Sequence, residues 1–235
     1  MLLRRIIEHM KAQNWFAVGL DLVIVVVGVF IGLQAQQWNE ARKDAVQHEK
    51  LLERLEFEFR DLEPVAAELV ALLHSSRQST ADVIDALRRE QPPEDEAAFR
   101  FALGRANWVM NFPDIATAYE ELVATWRLSD VRSIELRKAL IGYGDAHERL
   151  ARVYPGATRV IFAPDSNYYR AVDWNMDPDT WATEGAILSY DWGILRASRA
   201  EMQGWVSFQY DLVVYAERAL EQIRAILAIL EKEPR

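Results

Sequence analysis

Polar positions vanish from the chain between Leu22 and Leu33 and return abruptly. The stretch VIVVVGVFIGLQAQQWNEARKD (23–44) passes from unbroken apolar sequence into glutamine, tryptophan and charge within a few residues. From Trp15 to Trp38 the chain reads WFAVGLDLVIVVVGVFIGLQAQQW. At ~1.5 Å per residue this is the length a helix needs to cross a hydrocarbon core of ~30 Å. Tryptophan stands at each end, where its amphipathic ring suits a membrane interface. A cleaved export signal has a shorter apolar region ending in a small-x-small site, whereas here Gln34, Gln36, Gln37, Trp38 and Asn39 follow, so residues 15–38 read as a retained transmembrane helix. A soluble core helix, apolar on every side, would need a second surface to cover it. Asp21 is the one carboxylate in the span, placed either at headgroup level or against a partner helix. Before the span, MLLRRIIEHMKAQN (1–14) is a basic amphipathic segment suited to lying on an anionic leaflet.

Beyond the span the period changes. Trp38, Ala41, Ala45, Leu52, Leu55, Phe59 and Leu62 recur at spacings of three, four and seven, with His48 the polar interruption, as in the seam of a coiled coil or bundle. The same register projects back to Ile31, Val27 and Ile24, which predicts one continuous helix leaving the membrane as a stalk. Pro64 is expected either to kink that helix or to open a new one, and the register resumes at Ala66, Leu69, Leu73, Val83 and Leu87. QPPEDE (91–96) marks a break, followed by a helix around Asp95–Trp108. NFPD (111–114) marks another, with Asp114 the expected cap of IATAYEELVATWRL. Ser129 or Asp130 is expected to cap VRSIELRKALIGYGDAHERLARVY, which should end before Pro155-Gly156. From Pro155 to about Asp191 the chain reads as irregular and aromatic. A last long helix, Ser198–Lys232, repeats the seam at Trp205, Leu212, Ala216, Ala219, Ile223, Ile226 and Leu230. The pattern predicts an all-α protein, with residues 39–235 forming an extramembrane helical bundle.

Charge changes the picture in one respect. Residues 1–39 carry a net +1, leaving −10 for the remainder of a chain whose total is −9. A body of that sign, with no basic stripe, is repelled by phosphate backbones, which argues against nucleic-acid binding. The absence of cysteine excludes disulfides, thiol catalysis, thiolate zinc sites and iron–sulfur clusters. Arg4, Arg5 and Lys11 before the span nearly balance Arg42, Lys43 and Lys50 after it. A short basic N-terminus before a first span usually stays inside, so the expected arrangement is a bacterial inner-membrane protein with a cytoplasmic N-terminus and a periplasmic C-terminal domain.

The residues IGLQAQQWNEARKD resemble the anchor of a widespread family of uncharacterised bacterial single-pass membrane proteins, which reads roughly V-V-x-G-x-x-I-A-L-Q-x-x-x-W-N-E. A second patch, AYEELVATWRLSDVRSIELRKALIGY (118–143), is similar to a helix pair of the same family. Together the patches cover about a fifth of the chain. Trp126 stands where the family usually has glycine before the basic residue. The resemblance implies a membrane-anchored helical domain and supplies no catalytic residues.

Chemistry is sparse. His9, His48, His74 and His147 fall in no H-x-x-x-H or H-E-x-x-H spacing, and no nucleophile elbow, Walker loop or dinucleotide fingerprint is present. No catalytic residue or cofactor is expected. In DWNMDPDTWATE (173–184), Asp173, Asn175, Asp177 and Glu184 occupy positions 1, 3, 5 and 12 of a calcium-loop pattern, but Pro178 stands where the loop needs glycine, and Asp-Pro-Asp is also good turn chemistry. The aromatic residues Tyr168, Tyr169, Trp174, Trp181, Tyr190 and Trp192 suit either a ligand pocket or a buried bundle cap. Glu120 and Glu121, adjacent on a helix, point ~100° apart and do not converge.

These readings favour a non-enzymatic accessory or scaffold subunit acting through helix-mediated contacts, with the bilayer and other membrane subunits, or a second copy, as partners. The expected contact residues are Gly28, Gly32, Gln34, Trp38, Leu52, Leu55 and Phe59, because a G-x-x-x-G pair permits close helix approach and the seam continues outside the membrane. The long helix 198–232 is a competing partner for that seam within the chain. The alternative function is a periplasmic sensor or ligand-binding bundle. Only 14 residues precede the span in this chain, so such a sensor would signal through a separate partner.

Overall fold

The computed structural model describes residues 15–124, 127–181 and 185–232. The basic segment 1–14, Trp126 and Glu184 lie outside them, as do the side chains at 15–18, 21, 127 and 130. The order is α1 (Trp15–Ala86), α2 (Glu96–Ala106), α3 (Thr117–Ala124), a 3-10 turn (Arg127–Asp130), α4 (Ile134–Ile161), α5 (Asn167–Ala171), β1 (Val172–Trp174), a 3-10 turn (Pro178–Thr180), β2 (Ile187–Tyr190), α6 (Trp192–Ala197) and α7 (Arg199–Leu230). Among the described residues the protein is all-α apart from one small hairpin. Two compact units divide the chain, Met1–Leu51 and Leu52–Arg235.

In the first unit every described residue is helical. Its apolar side chains are uncovered: the large ones from Leu20 to Leu33 are between 48% and 64% exposed.

The second unit is built on three long helices. Glu63 of α1 pairs with Arg224 of α7 at 2.9 Å, and Ser76 with Gln209 at 3.0 Å, so these helices run antiparallel. Helix α4 also runs antiparallel to α7. A side chain on Gly142 would meet Gln222, the Arg149 guanidinium lies 5.7 Å over the Tyr215 ring, and Gly156 faces Phe208. Phe59 and Tyr143, edge to face at 5.0 Å, join α1 to α4. The predicted seams supply the core. Ala66, Leu69, Leu73, Val83 and Leu87 are buried, as are Trp205, Leu212, Ala216, Ala219, Ile223, Ile226 and Leu230. Each fully buried aliphatic side chain contributes roughly 1.5–3 kcal/mol, which is why the period outweighs weaker local signals.

Two prolines show that outweighing directly. No new helix opens at Pro64, and α4 does not stop before Pro155 but continues to Ile161. A proline removes one N–H donor, orphaning the carbonyl four residues back. Those carbonyls belong to Arg60 and Ala151, and these residues and both prolines are exposed, so water can serve the orphaned groups. The opposite faces, with Phe59 and Ala66 around the first proline and Leu150, Ala157 and Ile161 around the second, are buried and hold each helix together.

The caps also differ from expectation. Helix α4 is capped by Ser133, whose hydroxyl accepts from the Leu136 N–H at 3.1 Å, and not by Ser129 or Asp130, which sit in the 3-10 turn. Asp114 does not cap α3, which begins later. The Ala118 N–H donates instead to Glu58 of α1 at 2.7 Å, a cap supplied across the fold. Asp95, read from the sequence as the start of that helix, is the cap of α2, accepting from the Ala98 N–H at 3.0 Å.

The segment expected to be irregular contains the hairpin. Val172 pairs with Tyr190, Asp173 with Ser189 and Trp174 with Ile187, with a bulge between Asp173 and Trp174. Gly185, at φ 79°, makes the left-handed turn leading into β2.

Candidate functional site

The expected contact residues separate into two groups. Leu55 and Phe59 are fully buried in the bundle core, so they serve the chain's own packing and are not presented to a partner. Leu52 is half-buried. Gly28, Gly32, Gln34 and Trp38 stand open: a side chain added at either glycine would meet nothing within 4 Å, and Trp38 is 76% exposed. The competing intrachain partner for the seam, α7, takes its portion around Glu63–Ser76. The portion from Trp38 to Ala45 remains exposed.

Directly after the apolar run, Asn39, Arg42, Lys43, Val46, Gln47 and Lys50 line a shallow concavity of about 390 Å³ on one face of α1. Glu40 is engaged from behind by Gln36, whose amide donates to it at 2.9 Å.

The second unit carries an open groove of about 410 Å³ between α1 and the chain leading into α3. Phe57, Leu62, Val65, Pro113 and Ile115 form its apolar surface, with Phe57 68% exposed. Glu58, Asp61 and Asp114 give it an acidic lining. One of these carboxylates, Glu58, is committed to the α3 cap.

The aromatic segment is largely a bundle cap. Tyr168 is fully buried, donates its hydroxyl to the Leu103 carbonyl at 2.7 Å, and meets Trp205 edge to face at 4.9 Å. Burial pushes its phenol well above the ordinary tyrosine value. Tyr169 stacks on Trp174 and accepts from the Asn107 amide at 2.9 Å, while Tyr190 and Trp192 pack against Phe99. Trp181 is partly exposed and donates its indole N–H to the Asn175 carbonyl at 2.9 Å.

The calcium-loop positions do turn chemistry. Asn175 is buried. Its amide nitrogen donates to Thr180 and to the Gly185 carbonyl, and its oxygen accepts from the Asp177 N–H. Asp177 caps the 3-10 turn, and Asp173 accepts from the Ser189 hydroxyl at 3.4 Å. Among the described residues no three acidic or histidine side chains gather as a metal site would require.

Two of the described histidines have structural partners. His74 meets Glu217 at 2.7 Å, His147 meets the Pro113 carbonyl at 3.2 Å, and His48 is half-buried on α1. Glu121 is held by Arg54 at 2.8 Å. The groove beside Phe57 escaped sequence reasoning, because Pro113 and Ile115 reach it from a distant segment. Its only local signal was Phe57 and Val65, apolar yet out of phase with the seam. No known family model matches the chain, and no curated protein or solved structure matches it either.

Proposed function

We propose that this is a non-enzymatic single-pass membrane protein whose helical body serves as an accessory or scaffold subunit through protein–protein contacts. The observation that carries the reading is the uncovered apolar run. Within α1 lies a segment long and apolar enough to cross a membrane, none of it buried by the rest of the chain. The large side chains from Leu20 to Leu33, each about half exposed or more, would cost on the order of 10 kcal/mol together if left in water. Lipid removes that cost. The resemblance of 23–44 to a single-pass anchor points the same way, and the basic segment 1–14 favours a cytoplasmic N-terminus and a periplasmic body in a bacterial inner membrane. The protein should therefore stay with membranes through an alkaline carbonate wash, and a reporter fused after Arg235 should behave as periplasmic. Release by the wash would overturn the anchor, and a reporter active only in the cytoplasm would overturn the orientation.

Gly28 and Gly32 supply the interaction face of the anchor. In lipid, helices associate by close approach and interhelical hydrogen bonds, and the open backbone at these glycines permits both. Gln34 and Gln37 place amides near the interface. Replacing both glycines with leucine should preserve insertion and abolish the oligomer or the stoichiometric partner recovered in mild detergent and identified by mass spectrometry. Unchanged cross-linking and co-purification in that double variant would reduce the span to a plain anchor.

A further inference from the structure

We propose that the face of α1 carrying Arg42, Lys43 and Lys50 is a binding site for the phosphate headgroup of an anionic phospholipid in the leaflet where the helix leaves the membrane. This rests on the reading of 15–38 as a membrane span, and goes beyond it by assigning a ligand class to named residues outside the hydrocarbon. At ~100° per residue, Asn39, Arg42, Lys43, Val46, Gln47 and Lys50 fall on one face, and they line the concavity of about 390 Å³. Of the nearby acids, Asp44 points away from that face, Glu40 and Glu49 border it, and Glu53 follows Lys50 on it one turn further from the span. None of the three cations makes an ion pair with another described residue, which leaves their charge for an external anion. Asn39 and Gln47 add amide donors beside them.

Position and direction select a lipid phosphate over a free one. Trp38 marks the interface, and Arg42 and Lys43 follow it by about 6–8 Å along the axis, at headgroup depth. Lys50 is further out, at about 18 Å. Helical side chains tilt toward the N-terminus of their helix, which here is toward the bilayer, so the Lys50 stem reaches back to the same region. Cations in such a juxtamembrane position are drawn to anionic headgroups.

The test uses the full-length protein in nanodiscs of phosphatidylcholine containing a minority of phosphatidylglycerol, followed by mild detergent extraction and quantification of retained lipid. Retained phosphatidylglycerol should be enriched about tenfold over its bulk share, and enrichment should fall as salt rises. The variant Arg42→Gln/Lys43→Gln/Lys50→Gln should return the ratio to the bulk value, while Glu40→Gln/Asp44→Asn should not lower it. Wild-type retention at the bulk ratio, or enrichment that survives in the triple glutamine variant, overturns the headgroup site and leaves the anchor standing. Displacement of the lipid by millimolar glycerol phosphate, with equal binding of that anion in lipid-free detergent, overturns the lipid as source. A protein that does not enter the nanodisc overturns the span and this site together.

Discussion

Trp205→Ala should be the most damaging single substitution in the body, lowering its unfolding free energy by about 3–5 kcal/mol. Trp205 is 1% exposed and lies on the core face of α7 against Tyr168, which is itself fully buried and bonded to the Leu103 carbonyl. Truncation removes the transfer energy of the indole and leaves a cavity at a point where α7, α5 and α2 meet. The ring cluster Tyr168–Tyr169–Trp174 is rigid and hydrogen-bonded, so it cannot collapse into that space. The measurement is denaturant unfolding of the full chain in detergent, followed by circular dichroism. Phe57→Ala, at a mostly exposed position, is the matched control and should cost well under half as much. A Trp205→Ala protein within about 1 kcal/mol of wild type would mean that the cap is not packed as described.

Stability should fall steeply above pH 10, and Tyr143 should account for a large part of the fall. Burial pushes its phenol up to about 12, with smaller upward contributions from Tyr119 and Glu58, partly opposed by the Ala116 N–H that donates to its oxygen at 3.3 Å. Burial also raises Tyr168, Tyr169 and Tyr119. The folded protein therefore holds these protons after the unfolded chain has begun to release them near 10. The stabilisation is fully present below pH 10 and is lost between 10 and 12 as ionisation favours the unfolded chain. A displacement of about two pH units at Tyr143 corresponds to about 3 kcal/mol. Tyr143→Phe should cost about 1 kcal/mol at neutral pH through the lost Ala116 bond, and should make the alkaline fall shallower. Melting curves of both proteins from pH 8 to 11.5 decide the matter. Parallel declines would remove Tyr143 from the account.

What the sequence discloses here is what periodicity can carry. The seam of α7 and the upper seam of α1 are repeats of three, four and seven residues sustained over many turns, and every position named on them from Ala66 to Leu87 and from Trp205 to Leu230 is buried. Leu55 and Phe59 lay on the same period, yet period alone does not say whether a seam is covered by its own chain or by another. Pro155 was misleading, and of the two outcomes expected at Pro64 the new helix does not open, because the local cost of each proline is smaller than the packing on the far side of its helix. The Glu58 cap joins residues sixty positions apart, and no local pattern announces it. The hairpin is only three and four residues per strand, too short for alternation to register. For the surface sites, the glycine pair and the aromatic segment were visible as residue types. The Phe57 groove and the roles of Asn175 exist only after folding.

The buried contact between Ser76 and Gln209 has a bearing on which alignments of the helices the sequence permits. A run of leucines, valines and alanines along α1 and α7 would be nearly as content after sliding by one turn, since each side chain would find another apolar neighbour. Gln209 would not. Its amide gives both hydrogens to named acceptors, the Ser76 hydroxyl at 3.0 Å and the Ala106 carbonyl at 2.8 Å, and Thr80 donates to that same carbonyl at 2.8 Å. A slip would strand these groups in an apolar interior at about 1–3 kcal/mol for each one left unmatched. That buried side chain acts as a vernier mark beside the exposed Glu63–Arg224 and His74–Glu217 pairs, selecting a single phase for α1 and α7 and fixing the end of α2 to both.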